Sequence, residues 1–280
     1  MPEQPPSNPS KQPGKPPAGR PAPRRQPAAQ RRMHWSPGTD RIVIYGIHAV
    51  AAALGNPARA KHRLVATRNA LARLAESGIV LPVDPEVVDP KVVAEMVPPD
   101  AVHQGLALIT EPLNPVAPAD LAGAHLVLAL DQVTDPHNVG AIMRSASALG
   151  ADAMLTTARH SPTESGVLAK SASGAVDLLP HGPVQSLPRT LEDLKAAGFT
   201  ILGLDSAAEH DLESVPVGDR VVLVLGSEGK GLRQAVIAAT DAVVRLEAPG
   251  PFASLNVSNA AAVALYVIGR RLRGQKSGAA

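Results

Sequence analysis

Short apolar runs alternate with helix-length stretches of mixed polarity along most of this chain, and the alternation begins only near Arg41. From there, R-I-V-I-Y-G-I-H-A-V-A-A-A-L predicts a short extended piece followed by an apolar helix. H-R-L-V-A-T at 62–67 predicts a strand. N-A-L-A-R-L-A-E-S-G follows as a helix, with Asn69 as its N-cap and Gly78 as its C-terminal stop. A helix over 90–96 and a strand over 105–110 complete a small α/β unit spanning 41–110. The segment 111–120 holds three prolines and no apolar period, which marks a linker.

A second unit is predicted over 121–273. H-L-V-L-A-L-D is a continuous apolar strand, 126–130, ending in Asp131. The helix after it carries Ile142, Ala146 and Leu149 on one face. Further strands are predicted at 153–156, 176–179, 199–204, 221–225 and 243–246. Helices are predicted over 163–173, 188–197, 232–239 and 256–272, the last ending in basic residues that suit a helix C-terminus. Apolar strands alternating with helices predict a mostly parallel sheet buried on both faces, so the fold class is α/β. Residues 274–280 read as a disordered tail.

Composition narrows the classes. A chain of 280 residues predicts one or two domains. With 2% aromatic residues in 45% hydrophobic content, the core must be built from Ala, Val, Leu and Ile. No run approaches the roughly 20 apolar residues of a membrane span, and no secretory h-region is visible near the N-terminus. The chain has no cysteine, which excludes disulfides, thiolate zinc sites and thiol nucleophiles and fits a cytoplasmic location. No metal site is expected.

Charge is unevenly placed. Residues 1–38 hold seven Lys or Arg against one Glu, so of the net charge of +2 the remainder of the chain carries −4. The same segment holds 11 of the 28 prolines. It is expected to be disordered, and it reads either as a basic arm for nucleic acid or as a solubilising extension. Met33 offers an internal start. Arg59, Lys61, Arg63 and Arg68 are candidate local phosphate contacts.

Three motifs lie where strands end or helices begin: D-P-H-N-V-G-A-I-M-R at 135–144, G-S-E-G-K-G-L at 226–232 and S-L-N-V-S-N at 254–259. Ligands in open α/β sheets bind beyond the carboxyl ends of strands. The second motif has three glycines in six residues, yet it matches neither the P-loop nor the G-x-G-x-x-G spacing. A plain Gly-rich turn is the alternative. Asn138 is placed as an N-cap. Arg144, nearly two turns on, is either a solvated helix residue or a planar fork for phosphate or ribose. Ser254 and Asn256 are placed at the start of the last helix, where capping is their plainer role.

The ordered trio, together with K-S-A-S-G-A at 170–175, resembles the SpoU/TrmH branch of the SPOUT RNA 2′-O-ribose methyltransferases, over about 45–272. Y-G-I-H-A-V from Tyr45 and V-H-Q-G-L at 102–106 resemble the substrate-recognition domain of the subgroup that modifies a guanosine of 23S rRNA. The resemblance implies a homodimer and a deep trefoil knot in the C-terminal domain, with S-adenosylmethionine bent inside it. It assigns catalytic roles to Arg144, Asn138, Glu228, Ser254 and Asn256, and cofactor contacts to Leu225, Gly226, Gly231, Leu246 and Leu255. Glu228 would either orient Arg144 or accept the proton. The family's apolar-Pro-apolar step before the third motif is Leu246-Glu247-Ala248 here, with Pro249 just after. Alternatives are the same chemistry on transfer RNA or another rRNA nucleotide, an inactive RNA-binding relative, and, more distantly, a dinucleotide-dependent dehydrogenase.

Overall fold

The computed structural model describes residue 1, residues 40–250 and residues 255–278. Residues 2–38 of the predicted tail, and Ser254, lie outside the described residues. From residue 40 onward the described elements belong to one compact unit built on two sheets.

The first sheet comprises β1 (Ile42–Tyr45), α1 (Ile47–Gly55), β2 (Lys61–Ala66), α2 (Arg68–Glu76), β3 (Pro85–Val87), α3 (Pro90–Glu95) and β4 (Leu106–Thr110) with its helices, in strand order β1-β4-β2-β3. β4 pairs antiparallel with both β1 and β2, whereas β3 runs parallel to β2. β3 is three residues long, too short to show a period, and was not predicted. Thr67, not Asn69, caps α2: β2 ends at Ala66, so Thr67 is the first extended residue outside the strand, and its hydroxyl accepts from Ala70 N at 3.3 Å. Gly78, at φ 68°, lies just past the C-cap as expected.

The second sheet follows the linker. Its elements are β5 (Leu126–Asp131), α4 (Pro136–Leu149), β6 (Ala153–Thr157), α5 (Gly166–Ser171), β7 (His181–Val184), α6 (Leu187–Ala196), β8 (Thr200–Leu204), β9 (His210–Asp211), β10 (Val221–Gly226), α7 (Gln234–Ile237), β11 (Ala242–Arg245) and α8 (Val257–Gly278). Its strands are all parallel, in the order β7-β6-β5-β10-β8-β11-β9. β5 and β10 are central and buried. Leu126, Leu128, Leu130, Leu223 and Leu225 pack on one face, and Val127, Ala129, Val222 and Val224 on the other, as the two-residue period of a strand requires.

Three predicted elements differ. The apolar run at 176–179 is not extended: Ala175–Asp177 is a 3₁₀ turn after Gly174 at φ 98°, and the strand comes later, as β7. Val176 and Leu179 are buried there as packing residues. The last helix continues beyond 272, so 274–278 are helical rather than a tail. Its end is tied down, with Arg271 donating to the Leu212 and Val215 carbonyls and Gln275 to that of Val217. The linker is not free of the sheet, since Val116 N donates to His181 O at 2.9 Å along β7.

A polar seam joins the two sheets. Arg59 is buried, with its Nη1 2.7 Å from Glu164 Oε1 and its Nε 2.5 Å from Asp177 Oδ1. Its Nη1 also donates to Thr110 Oγ1 and to the Glu111 carbonyl. Close by, Gly166 leaves room for the ring of Tyr45; a Cβ there would lie 2.8 Å from Tyr45 Cε1.

Candidate active site

The C-terminal ends of β8, β10 and β11 open onto one cleft of about 430 Å³. Its shape begins with Gly226, the last residue of β10, which pairs with Asp131 at the end of β5. A Cβ on Gly226 would run into the backbone of Gly231 and, at 2.5 Å, Leu232 N, so the returning loop can lie this close only against glycine. Gly231 N donates to Ser227 O at 3.0 Å, closing the loop, and Gly229 and Gly231 take φ 78° and 64°.

Asp131 pins the far side of that loop. It is buried and accepts from Arg233 N at 3.0 Å and from Arg233 Nε at 2.8 Å. Sequence reasoning treated Asp131 only as the end of a strand. The signal was there: a carboxylate closing an apolar run needs a buried partner.

All five residues expected to contact a cofactor, Leu225, Gly226, Gly231, Leu246 and Leu255, line the cleft, and Glu228 lines it with them. Leu246 lines the cleft although the chain has no apolar-Pro-apolar step there.

Beside the cleft, residues of the three motifs meet. Asn256 Nδ2 donates to Glu228 Oε1 at 2.6 Å and to Asn138 Oδ1 at 3.2 Å, and Asn138 Nδ2 donates to the same Glu228 oxygen at 3.1 Å. Asn138 is therefore not the cap of α4. Asp135 is, its carboxylate accepting from His137 N at 2.9 Å, and Pro136 follows at the first helical position, where its missing N–H costs nothing. Asn138 falls inside the first turn, free to reach Glu228. Asn256 also caps α8, because its Oδ1 accepts from Ser258 N at 2.9 Å.

Arg144 stands apart from this cluster. It is exposed on α4, and its Nη1 lies 3.5 Å from Ser173 Oγ rather than on Glu228. The proposed basic patch is largely engaged elsewhere. Arg59 is buried in the seam, Lys61 Nζ donates to the Asn56 and Arg59 carbonyls, and Arg63 pairs with Glu86 at 2.6 Å. Burial lowers the Lys61 amine below the ordinary lysine value. Arg68 is exposed at the start of α2. A charged residue near a strand start can serve a fold as readily as a ligand, and sequence alone did not separate the two.

Among the described residues, no cluster of three or more His, Asp or Glu side chains is placed to hold a metal ion, and no helix is long and apolar enough to cross a membrane.

Comparison with known proteins agrees with this geometry. Residues 125–266 match the model of the SpoU rRNA methylase family, and residues 43–116 match that of the RNA 2′-O ribose methyltransferase substrate-binding domain. A protein of Mycobacterium ulcerans (strain Agy99) named an uncharacterized tRNA/rRNA methyltransferase is 35% identical over 209 residues. The match covers 72% of this chain and 66% of that relative, just under two thirds of its length. A protein of the same name from Mycobacterium avium (strain 104) is 34% identical over 235 residues, covering 82% of this chain and 74% of the relative. The fold is that of the SpoU methyltransferase AviRb from Streptomyces viridochromogenes, solved in complex with AdoMet. The TM-score is 0.70 at 22% identity, over 83% of this chain and 90% of that one.

Proposed function

The chain belongs to the SpoU rRNA methylase family, and from that premise we propose that it transfers a methyl group from S-adenosylmethionine to a ribose 2′-hydroxyl of RNA, the target being a guanosine of 23S rRNA. One observation carries the reading. Asn138, Glu228 and Asn256, from three separate motifs, share hydrogen bonds beside a cleft whose floor is bare glycine backbone.

The residues present suit this cofactor. Leu225, Leu246 and Leu255 give apolar walls for a flat ring, the Gly226–Gly231 loop brings backbone groups close, and Asp205 and Ser206 add polar groups for hydroxyls. Bound there, in a segment read as a trefoil knot, the cofactor supplies an activated methyl group to an oxygen nucleophile.

The chain's own groups prepare that oxygen. A guanidinium stays protonated at physiological pH and is a poor base. Arg144 is therefore assigned to holding the target phosphate and ribose and stabilising negative charge as it builds on the oxygen. Glu228, oriented by two asparagine amides, is assigned to accepting the hydroxyl proton. The substrate-binding sheet delivers the RNA.

The protein is read as a homodimer in the cytoplasm. Val263 and Tyr266 are exposed on α8, three residues apart and so on one helical face, and Leu255 is exposed just before it.

The test is methyl transfer from labelled S-adenosylmethionine to purified 23S rRNA and to tRNA, followed by mapping of the modified ribose. Label at a guanosine 2′-oxygen of 23S rRNA is expected. Label on tRNA alone would move the target, and no label on either would overturn the assignment.

A further inference from the structure

The segment K-S-A-S-G at 170–174 touches both α4 and the substrate-binding sheet, and the reaction outlined above gives it no part. On one side it meets α4. Residues 137, 140 and 144 share a face of that helix, by the three- and four-residue spacing of an α-helix. At the middle position, a Cβ on Gly140 would lie 2.5 Å from Ser171 Cβ and 2.9 Å from Ala172 N, so helix and segment approach almost to backbone contact. Above and below that contact, side chains pair. His137 Nδ1 and Ser171 Oγ are 3.0 Å apart, and Arg144 Nη1 donates to Ser173 Oγ at 3.5 Å.

On the other side the same segment is braced by the first sheet. Lys170 Nζ donates to Gln104 Oε1 at 2.9 Å, and that oxygen also accepts Ile47 N at 3.0 Å. A Cβ on Gly46 would lie 2.5 Å from the Lys170 amine. Gly174 packs on α1, where a Cβ would meet Ala52 Cβ at 2.8 Å and the His48 carbonyl at 3.0 Å. Burial lowers the Lys170 amine below its ordinary value, as expected of a group wedged between two sheets.

Between these anchors the backbone is strained. Ser173 has φ +50°, a left-handed conformation in which a non-glycine residue without an Asn or Asp side chain is uncommon. Such residues persist where the surroundings over-determine them, and they cluster at functional sites. Glycine would adopt this conformation freely. What serine adds is a hydroxyl, and that hydroxyl faces Arg144.

We infer that Ser173 is a positioning residue for Arg144, its hydroxyl setting the direction of the guanidinium from a turn that the substrate-binding sheet braces through Lys170 and Gly174. A guanidinium has five N–H donors. One used on Ser173 restricts the direction of the guanidinium and leaves a parallel pair for a phosphate. This rests on Arg144 acting in methyl transfer.

Ser173→Gly tests it. Glycine relieves the backbone strain, so the variant should fold and melt at or above the wild-type temperature. With the hydroxyl gone, kcat should fall about tenfold or more, with KM for RNA and the cofactor Kd within about twofold. In an Arg144→Lys background the same change should have little further effect. Full kcat in Ser173→Gly, or losses that multiply in the double variant, would overturn the inference while leaving the methyltransferase assignment intact. Order of the Arg144 side chain, read without RNA from its Nε–H resonance by ¹⁵N relaxation, gives an answer independent of turnover. A mobile Arg144 in Ser173→Gly supports the inference and an unchanged one overturns it, even if the wild-type protein methylates nothing.

Discussion

Asn256 and Asn138 lie 118 positions apart in the chain, yet Asn256 Nδ2 sits 3.2 Å from Asn138 Oδ1 while donating to Glu228 at 2.6 Å. Asn256 thus uses its two ends differently. Its amide nitrogen belongs to the site, and its oxygen caps α8. Asn256→Ser should separate the roles. Serine caps about as well, so stability should change by only about 0.5 kcal/mol. The shorter side chain cannot reach Glu228, and kcat should fall on the order of 10²-fold. Urea unfolding and steady-state methylation, measured on one preparation, would check both halves.

Arg144→Ala should abolish methylation to within detection, a loss of about 10²-fold or more, and leave cofactor affinity within about twofold. The residues lining the cleft do not include Arg144. Titration calorimetry with S-adenosylmethionine beside a single-turnover assay makes the comparison. A variant that turned over near the wild-type rate would remove Arg144 from the mechanism.

Arg59→Met should destabilise the protein by about 3–5 kcal/mol, because it leaves two acidic side chains buried without their cation. The Arg59 side chain is 0% exposed, and those of Glu164 and Asp177 are 9% and 1% exposed. Chemical denaturation would show it. RNA affinity per folded molecule should change little, in contrast to what a surface phosphate contact would give.

His103 makes the first sheet sensitive to acid. Its Nδ1 accepts from Gly105 N at 3.1 Å, and burial holds the imidazole below the ordinary histidine value of 6.5. The unfolded chain therefore binds a proton first as pH falls. Stability present above about pH 6.5 should be lost as pH drops through the lower, folded value. His103→Asn keeps an acceptor without the titration. Its melting temperature should vary less than the wild type's between pH 7 and 5.

The large pattern was legible because it depends on burial. The apolar runs at β5 and β10 read as strands buried on both faces, and the Gly226–Gly231 loop directly follows the second of them. The local errors have local causes. Asn69 and Asn138 are good capping residues, but each stands two or three positions past the true cap: Thr67 directly follows the end of β2, and Asp135 directly precedes Pro136. Val176 and Leu179 are apolar for the sake of a tight turn, a role that periodicity does not distinguish from a strand. The contacts of Arg59 and Lys170 cross between sheets, and no window along the sequence contains both partners.

The packing of Tyr45 against Gly166 also gives the protein a built-in optical reporter. The chain has two tyrosines and one tryptophan, and the tryptophan, Trp35, falls outside the described residues. Tyr45 is the buried tyrosine, at the seam between the sheets, and burial pushes its phenol above the ordinary value of 10.0. Its ultraviolet signal on alkaline titration therefore registers whether the substrate-binding sheet is seated on the methyltransferase sheet. Docking can be followed in solution without attaching a label to either.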